Sequence, residues 1–100
     1  MSALFHKTDR EPIRQRIVFY GSVQAVGFRW RAMQAARVYN VTGWVRNDPH
    51  DTVTMEIQGT RDQIDDVIKS LERGTYIRID YMDVKTLPLD PDERGFRVAY

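Results

Sequence analysis

The chain has 100 residues, of which 42% are hydrophobic and 29% are charged. This length and composition are those of one ordinary soluble domain with a single core. The chain has no cysteine, which excludes disulfides, a thiol nucleophile and the usual zinc-ligand sets. Fifteen basic and 14 acidic residues leave a formal charge of +1, so no overall field favours nucleic acid. The sequence has neither an apolar run of about 18 residues nor a signal-peptide pattern, so a cytoplasmic protein is expected.

The first part of the chain predicts a flexible segment, a strand and a helix. Residues 1–14 are polar, which favours a flexible lead-in before a single domain over residues 15–100. β-Branched and aromatic residues predict a strand over residues 15–20. Apolar residues at helical spacing predict a helix over residues 28–39, which ends at Asn40 because asparagine tolerates the left-handed C-cap conformation.

The middle of the chain predicts two strands joined by a turn. The first strand covers residues 42–47, the turn covers residues 48–51, and the second strand begins at residue 53. Polar and apolar residues alternate in the second strand, so one face is expected to be buried and the other to lie in water. The apolar face consists of Val53, Met55 and Ile57, and the polar face of Thr54, Glu56 and Gln58.

The last part of the chain predicts a second helix and two more strands. A capping box from Thr60 to Gln63 opens the helix. A strand is expected within residues 77–86, a loop over residues 88–95, and a closing strand from residue 96. The order β-α-β-β-α-β with an added strand predicts an α+β fold of the ferredoxin-like sandwich type. Such a fold has an antiparallel β-sheet with two helices on one face.

A glycine-bearing loop over residues 21–29 joins the first strand to the first helix. Such a loop presents backbone N–H groups, and the helix N-terminus adds its dipole, so the segment can bind a phosphate or another small anion. Arg29 falls in the first helical turn, where a cation is disfavoured unless an anion is also present. The helical pattern by itself is more typical of a solvated arginine at the start of a surface helix.

The loop pattern Gly-x-Val-Gln-x-Val-x-Phe-Arg closely resembles that of the acylphosphatases, small enzymes that hydrolyse acyl phosphates. The resemblance continues in residues 43–47 (Gly-Trp-Val-Arg-Asn) and in residues 96–100, and it covers nearly the whole chain. The sequence departs from the family pattern at Ala25, where glycine is usual, and at Asp51-Thr52, where Asp-Gly or Gly is usual. We expect Ala25 to be tolerated if its φ is negative.

The resemblance implies a fold, a reaction and a set of site residues. The reaction is hydrolysis of the carboxyl–phosphate anhydride of a small acyl phosphate, without a metal, a cofactor or a covalent intermediate. By resemblance, Arg29 binds the phosphoryl group and Asn47 orients the attacking water, whose proton passes to an oxygen of the substrate's own phosphate. The expected substrate-binding loop residues are Ser22, Val23, Gln24, Ala25, Val26, Gly27 and Phe28.

The side chains at these positions suit the chemistry. An acyl phosphate is already activated, so the protein needs charge stabilisation and a positioned water rather than a strong acid. The Arg29 guanidinium is a planar donor fork that stays charged at any working pH. Asn47 can bind water through its carbonyl oxygen, whereas a carboxylate at this position would repel the phosphate. No metal site is expected, because the two histidines lie apart, His6 in the N-terminal segment and His50 in a probable turn.

Several alternatives stay open at this point. Asn47 also suits an ordinary turn, and Gln24 more often bonds loop backbone than substrate. The chain could be a catalytically weakened phosphate- or anion-binding module of the same fold, if Ala25 impairs the loop. RNA binding is disfavoured, because the strand that begins at residue 53 has no aromatic residues. The expected partners are a small-molecule acyl phosphate and inorganic phosphate as product and inhibitor. No nucleic acid or membrane partner is expected, and a monomer is predicted.

Overall fold

The computed structural model describes residues 10–24 and 27–100. Within these residues, five strands and two helices follow one another in an order that agrees with the sequence prediction. They are β1 (Ile13–Ser22), α1 (Phe28–Tyr39), β2 (Thr42–Asn47), β3 (Val53–Gly59), α2 (Arg61–Glu72), β4 (Arg78–Leu87) and β5 (Phe96–Val98). A single 3₁₀ turn, Pro49–Asp51, joins β2 to β3.

The predicted end of the first helix and the predicted start of the second are confirmed. The α1 helix ends at Asn40, whose φ of 57° and ψ of 45° are left-handed, as expected for a residue that replaces glycine at this position. At the start of α2, the Thr60 side chain accepts a hydrogen bond from the Gln63 backbone N–H. The Gln63 side chain in turn accepts from the Thr60 N–H at 2.8 Å, which completes the predicted capping box.

The five strands form one sheet in the order β4-β1-β3-β2-β5. All neighbouring strands are antiparallel except β5, which runs parallel to β2. The expectation of a wholly antiparallel sheet is therefore wrong at this edge. The reason is that β4 finishes at the end of the sheet where β1 and β2 begin. A loop that crosses at this end starts β5 there, so β5 must run in the direction of β2.

The hydrophobic core lies between one face of the sheet and both helices. Phe28 of α1 packs edge-on against Phe19 of β1, with ring centroids 4.9 Å apart. The side chains of α1 that face the sheet are mostly alanines, which allow the helix to approach it closely. The core also includes Ile17, Ala32, Ala35, Ala36, Val45, Val53, Met55, Ile57, Ile64, Val67 and Leu71.

The opposite face of the sheet holds a cluster of charged side chains around Glu56. Glu56 Oε1 accepts from Arg14 Nη2 at 2.9 Å, and Oε2 accepts from Arg16 Nη2 at 2.8 Å. Arg14 also pairs with Glu93 at 2.7 Å. Only 5% of Arg14, 8% of Glu56 and 6% of Thr54 are exposed, so the expected wet face of β3 is wrong at two of its positions. These polar groups are buried because each has a partner: Arg14 and Glu56 pair with opposite charges, and the Thr54 hydroxyl donates to the Asp48 carboxylate.

The charged cluster also involves the end of the N-terminal segment. The sequence predicts a flexible lead-in over residues 1–14, of which residues 1–9 lie outside the described part of the chain. Ile13 and Arg14, however, belong to β1 and pair with β3 and β4. The strand is longer than predicted because Arg14 finds carboxylate partners on β3 and on the loop after β4, which a local pattern does not show.

The loop over residues 88–95 crosses from one edge of the sheet to the other. It is held on the charged face by Glu93, which pairs with Arg14, and by Asp90, which bonds the Gln58 side chain through its backbone N–H and C=O at 2.8 and 3.0 Å. At the far edge, the Gly43 N–H donates to Gly95 O at 3.0 Å. The charged cluster therefore fixes where β5 starts.

Replacing Glu56 by glutamine should lower the free energy of unfolding by about 2–3 kcal/mol at neutral pH. Burial raises the pKa of the Glu56 carboxyl, but the hydrogen bonds and charges of Arg16 and Arg14 outweigh burial, so its pKa lies below the ordinary value. A lowered folded-state pKa stabilises the protein above the unfolded value of about 4.3, and this contribution is lost as the pH falls through the folded value. The stability difference between wild type and Glu56→Gln should therefore close below about pH 4.

Urea unfolding from pH 7 to about pH 3 measures this difference, with Asp80→Asn as the control. Asp80 is also ion-paired, with Arg78, but both side chains are more than half exposed, so the loss should be much smaller. A difference for Glu56→Gln that stays constant over the whole pH range would contradict the role given to the carboxylate.

Candidate active site

Three segments of the chain meet at the end of the sheet opposite the crossing loop. Since β1, β2 and β5 run in the same direction, the loop after β1, the last residue of β2 and the residues after β5 lie together. They enclose a cleft of about 280 Å³ with the start of α1. Its lining consists of Val23, Gly27, Phe28, Arg29, Trp30, Met33, Asn47, Val98 and Tyr100.

The N-terminus of α1 opens into this cleft without a cap. Its N-cap residue, Gly27, has φ 78° and ψ 13°, and it offers no side chain to the first N–H groups of the helix. The first turn contains no acidic residue. By contrast, α2 begins with a capping box and carries Asp62 in its first turn. The start of α1 is therefore electropositive, with backbone donors directed out of the helix, which is the arrangement that binds phosphate-like anions.

The Arg29 guanidinium adds a full positive charge at the same place. Its Cζ atom lies 5.6 Å from the centre of the Tyr100 ring, a cation–π distance. Within residues 10–24 and 27–100, no carboxylate lies within ion-pair distance of Arg29. Among the described residues, other arginines do pair with a carboxylate: Arg14, Arg16, Arg46 and Arg78. The hydrogen-bond donors of Arg29 are thus available to an anion in the cleft.

Asn47 is the last residue of β2, and its side chain faces the cleft. Its Oδ1 atom is buried and has no hydrogen-bond partner among the described residues. Buried polar atoms nearly always have a partner, and an orphan costs about 1–3 kcal/mol. A carbonyl oxygen kept in this state is suited to accept a hydrogen bond from a water molecule or a ligand.

The turn after Asn47 is held by side chains from two directions. Gln24 Nε2 donates to the Asp48 and Thr52 carbonyl oxygens, both at 2.7 Å. The Asp48 carboxylate accepts from the Thr52 hydroxyl at 3.1 Å and from the hydroxyl of Thr54. These bonds tie the loop after β1 to the turn after β2, so the two halves of the site are fixed to each other.

The same turn contains two residues in a conformation that favours glycine. His50 has φ 67° and Asp51 has φ 70°. Within the Asp51-Thr52 departure from the family pattern, Asp51 is thus a non-glycine residue in the left-handed region, at a cost of about 1 kcal/mol. The bonds from Gln24 and to Asp48 offset this cost and keep the turn next to Asn47.

The structure brings together most of the predicted site. Arg29 and Asn47 line one cleft, along with the loop residues Val23, Gly27 and Phe28. The side chain of Gln24 bonds the neighbouring turn instead, and Ser22 is a β1 residue outside the lining. Ala25 and Val26, and with them the test of the Ala25 φ, lie outside the described residues.

Sequence reasoning missed the other side of the cleft, formed by Trp30, Met33, Val98 and Tyr100. A signal for Met33 was present, because it lies one helical turn after Arg29 and so on the same side of α1. The position of Val98 and Tyr100 depends on the parallel pairing of β5, which the local sequence does not specify.

The described residues contain neither a metal-binding cluster nor a membrane-spanning helix. Among them, no group of three or more His, Cys, Asp or Glu side chains is arranged to hold a metal ion. In the same part of the chain, no helix combines the length and the apolar character needed to cross a membrane.

Comparison with known proteins identifies the family. The acylphosphatase family model matches residues 15–98. An acylphosphatase of Geobacillus thermodenitrificans is 34% identical over 88 residues, which are 87% of this chain and 94% of that protein. A solved acylphosphatase from Coxiella burnetii has a TM-score of 0.79 and 25% identity, and the match covers 95% of this chain and all of that one. The acylphosphatase structure from Bacillus subtilis has a TM-score of 0.80 at 22% identity, covering 88% and 99% of the two chains, and shows likeness of fold.

The chain therefore belongs to the acylphosphatase family. Its activity is that of an acylphosphatase, an enzyme that hydrolyses acyl phosphates. The family, the ferredoxin-like α+β class and the enzyme activity expected from the sequence are all confirmed.

Replacing Gly27 by alanine should weaken the inhibition of the enzyme by inorganic phosphate by about tenfold. An added Cβ would meet no atom within 4 Å, so its cost comes from the left-handed backbone and not from a clash. That strain is about 1–2 kcal/mol, and a ligand that requires this backbone must overcome it. The measurement is the competitive inhibition constant of phosphate.

Gly95→Ala is the matched control. Gly95 has φ 68°, and an added Cβ there would also meet nothing within 4 Å, but the residue lies in the crossing loop. Only Gly27→Ala should change the phosphate constant, because the free variant relaxes away from the left-handed backbone and phosphate binding must restore it. Equal phosphate constants for the two variants would rule out a role for the Gly27 backbone in anion binding.

Proposed function

We propose that Arg29 and the open N-terminus of α1 bind the phosphoryl group of the acyl phosphate, and that Asn47 orients the water that attacks it. The observation that carries the proposal is one cleft that contains three unsatisfied groups of complementary kind. These are the Arg29 cation, the uncapped backbone donors that follow Gly27, and the orphan Oδ1 atom of Asn47.

The first two groups stabilise negative charge. In hydrolysis, charge on the non-bridging phosphoryl oxygens is greatest while the bond to the acyl oxygen breaks and the bond to water forms. The planar fork of Arg29 can donate two parallel hydrogen bonds to such oxygens, and the N–H groups at the start of α1 donate along the helix axis. Because both are in place before the substrate arrives, little reorganisation is needed in the transition state.

Asn47 acts on the nucleophile. Its Oδ1 atom accepts a hydrogen bond from the water, which fixes a lone pair toward phosphorus and opposite the leaving carboxylate. The water oxygen forms the new P–O bond, and the acyl carboxylate leaves with the electron pair of the old one. The described residues that line the cleft include no His, Asp or Glu. In this proposal the proton of the water passes to a phosphoryl oxygen of the substrate, as the resemblance to the family implies.

In this proposal, Gln24 and Ser22 help to position the site and do not bind the substrate. The Gln24 side chain positions the turn beside Asn47 through its two hydrogen bonds and does not itself contact the substrate. Ser22 continues β1 up to the loop. Inorganic phosphate, the product, is expected to bind the same groups and to inhibit competitively. The cytoplasmic location and the monomeric state remain predictions from the sequence.

Two substitutions should separate binding from water positioning. Arg29→Ala should lower kcat/KM by roughly two to four decades and abolish phosphate inhibition, since a charge-assisted hydrogen bond is worth about 1.5–3 kcal/mol and a bidentate pair about twice that. Asn47→Ala should mainly lower kcat and leave the phosphate inhibition constant within a few-fold, because the anion-binding groups are intact.

Arg37→Ala is the control for charge, because it removes an exposed arginine from the last turn of the same helix. It should change neither kcat/KM nor phosphate inhibition by more than about twofold. The proposal fails if Arg29→Ala retains phosphate inhibition, or if Asn47→Ala raises the inhibition constant as much as Arg29→Ala does. A wild type that binds phosphate but does not turn over acyl phosphates would favour the weakened binding module.

A further inference from the structure

We propose that Trp30, Met33 and Tyr100 form a binding surface for the acyl group, and that this surface selects acyl phosphates with an aromatic or bulky apolar acyl group. The inference rests on the proposed function, because it starts from a phosphoryl group held at Arg29.

The helix α1 continues the cleft from the phosphoryl-binding end into an apolar wall. Arg29 and Met33 are four residues apart, and Trp30 and Met33 are three apart, so Met33 is a neighbour of both on the helix surface. The apolar wall therefore begins about one helical turn from the guanidinium. The acyl carbon is separated from phosphorus by one bridging oxygen, so its substituent must lie next to the phosphoryl site.

Tyr100 forms the opposite wall. β5 runs parallel to β2 and carries Val98 and Tyr100 to the sheet end where Asn47 lies. The Tyr100 ring stands 5.6 Å from the Arg29 Cζ atom, which places an aromatic face against the group that binds phosphate. With the phosphoryl group bound at Arg29, the acyl substituent therefore extends between the Tyr100 ring and α1.

The two aromatic side chains of this surface are largely exposed to water in the free protein. Trp30 is 66% exposed and Tyr100 is 99% exposed. A single exposed aromatic residue needs no explanation, but two that line the same cleft beside an anion-binding arginine form a surface that a ligand can cover. An acyl group that covers these two side chains removes their apolar area from water. This burial stabilises the substrate complex and does not contribute to the stability of the free protein.

The lining of the cleft disfavours acyl phosphates whose acyl group is charged. Among the described lining residues, Arg29 is the only charged one, and the other side chains with polar groups are Trp30, Asn47 and Tyr100. A charged acyl substituent would lose hydration on entering and find no second charge to pair with. The surface therefore favours an aromatic acyl group over a small or charged one.

The test compares kcat/KM for benzoyl phosphate and acetyl phosphate in wild type and Trp30→Ala. The ratio of the two constants measures selectivity, and comparing this ratio between variants cancels the different intrinsic reactivities of the substrates. Trp30→Ala should lower the benzoyl-to-acetyl ratio by about tenfold, which corresponds to partial loss of the burial of one aromatic group. Its inhibition constant for inorganic phosphate, which has no acyl group, should be unchanged.

Val38→Ala is the matched control, because Val38 is 73% exposed on the same helix but does not line the cleft. It should leave the ratio unchanged. Tyr100→Ala provides a second variant for the opposite wall and should lower the ratio in the same direction.

The outcomes distinguish this inference from the function on which it rests. If wild type hydrolyses both substrates but Trp30→Ala and Tyr100→Ala keep the wild-type ratio, the acyl surface is wrong and the proposed phosphoryl site stands. If wild type hydrolyses neither substrate and phosphate does not bind, both proposals are overturned.

Discussion

The open N-terminus of α1 and the guanidinium of Arg29 place positive potential at one end of the sheet, and the described residues supply no carboxylate to neutralise it. A glycine N-cap such as Gly27 costs a few tenths of a kcal/mol relative to a side-chain cap, and a cation in the first turn adds to that cost. The packing of Phe28 against Phe19 in the core holds the helix in place despite this. An anion removes both penalties at once, so the free protein is prepared for a phosphoryl group before one arrives.

The rest of the fold serves to bring other groups to that end of the sheet. Asn47 lies there as the last residue of β2, and the hydrogen bonds from Gln24 connect the following turn to the loop after β1. β5 delivers Tyr100, but only because the crossing loop starts this strand at the opposite end of the sheet. That start depends on the cluster around Glu56, where Arg14 holds Glu93 on the far face. The charged cluster therefore affects the cleft indirectly, because it positions the start of β5 and β5 carries Tyr100 to the cleft.

Much of this architecture could be predicted from local patterns, because caps, apolar periodicity and turn residues act over a few positions. The α1 helix, its end at Asn40, the capping box of α2 and the strand that ends at Asn47 all follow from such patterns. The parallel pairing of β5, the burial of Glu56 and the inclusion of Arg14 in β1 depend on contacts between distant residues. The acyl-facing wall was missed for the same reason, since Tyr100 meets Arg29 only after the whole sheet is assembled.

The central claim is that phosphate binds at the uncapped start of α1, and titration of ¹⁵N-labelled protein with inorganic phosphate tests it most directly. The largest changes in chemical shift are expected at the backbone amides of residues 27–30 and at Nε of Arg29. They should saturate at the concentration at which phosphate inhibits the enzyme. The amides of residues 61–64, at the capped start of α2, serve as the internal control and should not shift. Equal shifts at the two helix starts, or the largest shifts around Arg14 and Arg16, would contradict the account.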